Sequence, residues 1–154
     1  TPHFVDSIES ETKEEAAQLA PFRTKQKITK IPKEYFDVIK EGMHDVTVFG
    51  TAAFIKVPGH EYCAKTGTAQ NPHGKNHSLF VCFAPKDNPK IAIAVFVENG
   101  YWGSRWAGPI ASLMIENYLN GATVRPWVEQ NMFNGSLQDE YEKQLLQETI
   151  DIEK

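Results

Sequence analysis

The alternation of apolar and polar positions divides the chain into short strands and helices with turn formers between them. Residues 4–9 and 22–31 alternate as short strands, and the acidic stretch Ser10–Gln18 between them is rich in helix formers. Pro32 is followed by Glu34, Tyr35, Phe36, Val38, Ile39 and Met43. That is the pattern of a helix starting just after a proline and running to about Asp45, with Gly50 ending the region. Tyr62–Gln70 reads as a strand, Asn71–Asn76 as a loop, Ser78–Ala84 as a strand, Pro85–Pro89 as a turn and Lys90–Glu98 as a third strand. Connections this short join antiparallel neighbours, so a meander is expected.

The run Ile91–Val97 shows no polar alternation, which predicts a strand covered on both faces and helices packed on each side of the sheet. Ala107–Leu119 is a strong apolar helix closed by Asn120-Gly121, and Pro109 falls in its first turn, where a missing N–H costs little. A final polar helix near 136–150 carries Leu137, Tyr141, Leu145 and Ile150 on one stripe and is expected to be peripheral. No internal repeat or low-complexity segment interrupts the pattern. The expected fold class is α/β, an antiparallel three-stranded meander with packed helices.

Composition narrows the class. At 154 residues, with 41% apolar and 23% charged residues, the chain has the make-up of one soluble globular domain, not a disordered tail or a disulfide-stapled mini-protein. The longest apolar run is far short of the roughly 20 residues that a membrane helix needs, and nothing at the N-terminus reads as a signal peptide. The start, Thr1-Pro2-His3-Phe4, has no initiator Met and reads as the middle of a larger protein. Net charge is −4, so no global basic footprint for nucleic acid is present. Five acids against Lys13 in residues 1–20, and six against Lys143 and Lys154 in residues 135–154, leave residues 21–134 at +4. A mildly basic centre suits a small anionic ligand. Cys63 and Cys82 sit in apolar runs as small hydrophobes, and neither a disulfide nor a redox compartment can be read from them.

One motif carries chemistry: Lys65-Thr66-Gly67-Thr68-Ala69-Gln70 on the first strand of the meander. It sets an ammonium and two hydroxyls beside a glycine, which lets another backbone or a ligand come close. Lysine and hydroxyls together hold a carboxylate by charge-assisted hydrogen bonds, and an exposed strand edge pairs with an extended peptide. The expected ligand is a peptide ending in a carboxylate. Other candidates are weaker. Gly67 to Gly74-Lys75 has the wrong spacing for a phosphate loop and Asn76 where a Ser or Thr is required. His60-Glu61 lacks the second His of a zinc helix, and His73 with His77 sits on a loop with no nearby acid, so no metal or cofactor is expected. Asn76-His77-Ser78 and Asn134-Gly135-Ser136 match the glycosylation triplet only formally. Trp102 and Trp106 read as packing residues between strand and helix, with contact between the Tyr101-Trp102-Gly103 loop and a partner as the alternative, and His73 and Lys75 as residues of a solvated loop or of the groove mouth.

The Lys65-Thr66-Gly67 triplet is also one mark of the serine penicillin-binding proteins and β-lactamases. After it come His77–Pro85, Ile91–Val97 with Glu98-Asn99-Gly100, Gly103-Ser104 and Ala107–Ala111; Glu41-Gly42-Met43 and Gly50-Thr51-Ala52 lie upstream. Over residues 1–121 this series closely resembles the C-terminal part of the transpeptidase domain of class B penicillin-binding proteins, of the elongation type represented by penicillin-binding protein 2. The resemblance implies a D,D-transpeptidase that cross-links peptidoglycan stem peptides through a serine acyl-enzyme and is acylated by β-lactams. It implies that Lys65 keeps the site electropositive and hydrogen-bonds the serine of the second motif. Thr66 and Thr68 would hold the terminal carboxylate, the Thr68 N–H would be an oxyanion-hole donor, and Gln70 would line the groove. It implies an envelope protein acting on the periplasmic side, its parent anchored by an N-terminal helix absent here.

One departure is decisive. The family's S-x-x-K occurs only as Ser10-Glu11-Thr12-Lys13, in a polar stretch too close to Lys65, and S-x-N is absent. Ser10 is read as a chance match, and the chain as residues 1–134 of an incomplete transpeptidase domain plus an acidic tail, 135–154. Alone it is expected to be inert, its partner being the missing N-terminal part of the same domain. The resemblance gives the parent sheet five strands, two of them absent here, which leaves Ile91–Val97 as an open edge inviting self-association. Two rivals remain: a β-lactamase or carboxypeptidase relative, and a non-catalytic module binding wall peptide or β-lactam, as in a sensor.

Overall fold

The computed structural model describes residues 12–23 and 30–152. The chain divides into two compact units, residues 1–35 and 36–154. In the first, α1 (Lys13–Arg23) starts with a reciprocal cap. The Glu15 N–H donates to Thr12 Oγ1 at 3.2 Å and the Thr12 N–H to Glu15 Oε2 at 3.3 Å, filling two donors that a helix start leaves open. This helix includes Phe22 and Arg23, so the strand expected over 22–31 is not found where its residues are described; the strand expected over 4–9 lies outside the described residues.

The second unit is built on a three-stranded antiparallel sheet, β1 (Cys63–Ala69), β2 (His77–Ala84) and β3 (Ile91–Val97), in that spatial order. The meander is as expected, and β1 and β3 are its edges among the described strands. Register pairs Ala64 with Cys82 and Cys82 with Ile93, and likewise Thr66 with Phe80 and Phe80 with Val95. Side chains alternate across a strand, so these residues share one face. Against that face lies α3 (Ala107–Asn120), whose Ala107, Ala111 and Ile115 are fully buried with Phe80 and Ala64. Gly121 ends α3 in the left-handed region at φ 77°, its N–H donating to Asn117 O, a conformation glycine adopts without steric cost.

The expectation that β3 is covered on both faces is overturned. Ile91, Ile93, Val95 and Val97 pack toward the core, while Ala92 and Ala94 face outward with Phe96, which is 52% exposed. The run alternates in size instead of polarity, and no described element covers its outer face.

The helix expected over 33–45 is α2 (Lys33–Val48). Its C-terminal half braces the start of β1. Thr47 Oγ1 lies 2.7 Å from His44 O and 3.2 Å from Tyr62 O, and Cys63 Sγ donates to Lys40 O at 3.4 Å. Lys40 pairs with Asp87 and Lys86 with Glu41, tying α2 to the β2–β3 turn; each partner holds the lysine's pKa up and the carboxyl's down. After α2, Ala52, Ile55 and Val57 enter the core, and Tyr62 donates its hydroxyl to Ile55 O. Two helices complete the chain: α4 (Pro126–Asn134), which the sequence pattern did not predict, and α5 (Leu137–Ile152), which it placed at 136–150. No described helix is long and apolar enough to cross a membrane. Both cysteines are free and buried, and burial pushes the Cys82 thiol up to about 12, so neither is poised as a nucleophile.

Candidate functional site

The Lys65–Ala69 segment belongs to β1, an edge strand among the described strands, beside the end of α2. Lys65 and Gly67 share a face with Cys63, and Thr66 and Thr68 lie on the opposite one. The four residues therefore do not converge on a single face. What they share is the edge itself, so a ligand touching all of them must lie along it.

Lys65 is exposed and its Nζ donates to Thr66 O at 2.8 Å, using one of three donors. No carboxylate pairs with it among the described residues, so its charge is available to an anion. Thr66 Oγ1 shares a 2.9 Å hydrogen bond with Thr51 Oγ1, which orients it from the segment after α2. Thr68 and Gln70 are exposed at the far end of the strand.

Two glycines thin the sheet here. A Cβ on Gly67 would come within 3.2 Å of the Leu79 side chain. One on Gly103 would collide with Leu79 O and lie 2.7 Å from Gly67 O and 3.0 Å from Gly67 N. The loop carrying Gly103 thus rests directly on the backbone of β1 and β2, an approach only a glycine permits. Ser78, fully buried, pins the same loop: its Oγ donates to Trp102 O at 2.9 Å and accepts from the Ala107 N–H at 3.2 Å. Sequence reasoning missed the structural roles of Gly103 and Ser78. Their signal was a small residue in the loop and a hydroxyl on an otherwise apolar strand.

The 71–76 loop follows β1 and is held by its own hydrogen bonds. Asn71 Nδ2 donates to Lys75 O and to Asn99 Oδ1, the His73 N–H to Asn71 Oδ1, and the Tyr101 N–H to Asn76 O at 2.8 Å. His73 and Lys75 are exposed on it. Trp102 is not the packing residue expected: it is 55% exposed, because Gly103 and not the indole makes the close contact with the sheet. Trp106 is half-buried, its indole N–H donating to Glu140. Ser10, of the lone S-x-x-K match, lies outside the described residues.

Chemically the edge can hold a carboxylate and an extended backbone, but it supplies no activated nucleophile. Among the described serines, Ser78 and Ser112 are buried and donate to backbone carbonyls, Ser136 accepts from the Asp139 N–H at the start of α5, and Ser104, half-buried beside Gly103, has no base as a hydrogen-bond partner. Such an edge can form one wall of a site.

Comparison with known proteins fits a wall of that kind. Residues 1–116 match the family described as the penicillin binding protein transpeptidase domain. The peptidoglycan D,D-transpeptidase MrdA of Acinetobacter baumannii is 42% identical over 96 residues, covering 53% of this chain and 14% of that protein. The crystal structure of Pseudomonas aeruginosa penicillin-binding protein 2 in complex with WCK 5153 aligns with a TM-score of 0.53 at 32% identity, over 62% of this chain and 22% of that one. Penicillin-binding protein A of Mycobacterium tuberculosis, solved as an imipenem acyl-enzyme, aligns at 0.52 with 31% identity, over 58% of this chain and 20% of that one. The chain thus spans 14–22% of these relatives' lengths, and it belongs to the penicillin-binding protein transpeptidase domain family.

Proposed function

We propose that this chain is the Lys-Thr-Gly-Thr wall of the acyl-transfer site in a peptidoglycan D,D-transpeptidase. The observation that carries the reading is Lys65, an ammonium with no carboxylate partner among the described residues, on a strand edge that no other described strand pairs with, beside Thr66 and Thr68. A stem peptide ending in a carboxylate lies along β1. Its backbone pairs with the edge, and its carboxylate is held by the Thr66 and Thr68 hydroxyls. A serine on the remainder of the protein attacks the penultimate D-Ala carbonyl. The Thr68 N–H helps hold the oxyanion, D-Ala leaves, and the amine of a second stem takes the acyl group. β-Lactams present the same carboxylate and an amide that acylates the serine. Gln70 lines the far end of the groove. Residues 1–134 are a portion of the transpeptidase domain and 135–154 its acidic appendage. The whole protein works on the periplasmic side of the bacterial envelope, anchored by a helix outside this chain.

In the full-length protein treated with a fluorescent penicillin, peptide mapping is expected to find the acyl group on a serine outside residues 1–154. A label within this chain, or none at all, sinks the reading. For the isolated chain, we expect the edge of β3, unpaired among the described strands, with Phe96 beside it to drive self-association. Light scattering should show a mass that grows with concentration; a monomer at every concentration counts against it.

A further inference from the structure

Residues 135–154 lie beyond the family match, which ends at residue 116. Their helix is nevertheless tied to both loops that flank the far end of β1. Glu140, only 9% exposed, uses both carboxylate oxygens: Oε2 accepts from the Trp106 indole N–H at 2.8 Å, and Oε1 pairs with Arg105. The next residue, Tyr141, faces the other loop, with Lys75 Nζ 5.6 Å from its ring centroid. Gly135, just ahead of α5, sits so close to the Trp106 ring that a Cβ there would come within 2.6 Å.

The loop that Glu140 holds is the one that rests on the site. Trp106 and Arg105 lead back to Gly103, whose backbone lies against the N and O atoms of Gly67. The Gly108 N–H donates to Gly103 O at 2.8 Å, which ties the loop to the start of α3. A continuous path of contacts therefore runs from α5 through Glu140 and Trp106 to Gly103 and the middle of the Lys65–Thr68 edge.

We infer that α5 is a strut for the acyl-transfer site and that Glu140 is a positioning residue. By fixing Trp106 and Arg105 it presses the 101–106 loop onto β1 and sets where the Lys65 ammonium and the Thr68 N–H stand. The inference rests on the function proposed above. Misplacing a reacting geometry by about 1 Å costs on the order of a hundredfold, so loosening one support of the strand is expected to cost about tenfold.

The test uses the full-length protein and a chromogenic cephalosporin, separating the limiting acylation rate constant from the affinity of the pre-acylation complex. Glu140→Ala is expected to lower the rate constant about tenfold while affinity and the titre of acylatable sites stay near wild type. Glu140→Gln keeps an acceptor for the Trp106 indole and should recover most of the loss. Trp106→Phe, which removes that donor together with the ring edge packed on Gly135, should reproduce it, and it decides the matter if Glu140→Ala lowers the titre by misfolding. A partial loss of fold would reduce the titre and leave the rate constant of the surviving sites unchanged. Lys65→Ala is the control. If it acylates normally, the proposed function fails. If Lys65→Ala is crippled while Trp106→Phe acylates at the wild-type rate, the strut alone is overturned.

Discussion

Replacing Lys65 by alanine is expected to slow acylation of the full-length protein by a penicillin by a factor of about 100 to 1,000, the range seen when one preorganised electrostatic group is taken from an acyl-transfer site. Lys65 is exposed, its ammonium spends one donor on its own strand's Thr66 O at 2.8 Å, and no acid among the described residues neutralises it. Its removal deletes a charge without emptying a core position, so the melting temperature should barely move. Lys65→Arg keeps the charge on a longer, planar head and should recover part of the rate, whereas Lys65→Met should not. Stopped-flow quenching with a fluorescent penicillin measures the rate, and a thermal melt checks the fold. A Lys65→Met protein that acylates at wild-type speed would falsify the role assigned to the charge.

The features legible in the sequence are those set by local interactions. The meander was legible because its turns are short and rich in Asn, Gly and Pro, and the end of α3 because Gly121 can adopt a positive φ there. The Lys65–Gln70 edge was legible because its residue types are unusual together. The distribution of Lys65 and Thr66 onto opposite faces is a consequence of strand period alone; the orientation of Thr66 by Thr51 is a tertiary contact that no local pattern reveals. The outer face of β3 was misjudged because Ala92 and Ala94 count as apolar while being small enough to leave exposed. α4 was missed because it is nine residues long, with no buried residue to mark a stripe. The tail's engagement with the site was out of reach for a different reason. Glu140 finds Trp106 across 34 positions of sequence, and only the fold brings them together.

The Arg125–Glu116 pair joins the family-matched part of the chain to α4, and breaking it is expected to cost about 3–5 kcal/mol. Arg125 Nε donates to Glu116 Oε1 at 2.7 Å and a terminal guanidinium nitrogen donates to Ser112 Oγ at 2.9 Å; Ser112 in turn donates to Pro109 O. Glu116 is fully buried and Arg125 is 7% exposed. The carbonyl of Arg125 accepts the N–H groups of Val128 and Glu129, so the same residue starts α4. Arg125→Met keeps most of the volume but strands the fully buried Glu116 carboxylate, with which no other cation pairs among the described residues. The loss is a large share of the roughly 5–15 kcal/mol that a domain has in total. The double variant Glu116→Leu/Arg125→Met removes both charges and should lose much less than Arg125→Met alone, because the cost lies in the orphaned charge and not in the missing attraction. Urea unfolding monitored by tryptophan fluorescence measures both. If Arg125→Met shifts stability by less than about 1 kcal/mol, or if the double variant is worse than the single, the pair is not the clamp described, and α4 is held to α3 by its apolar contacts instead.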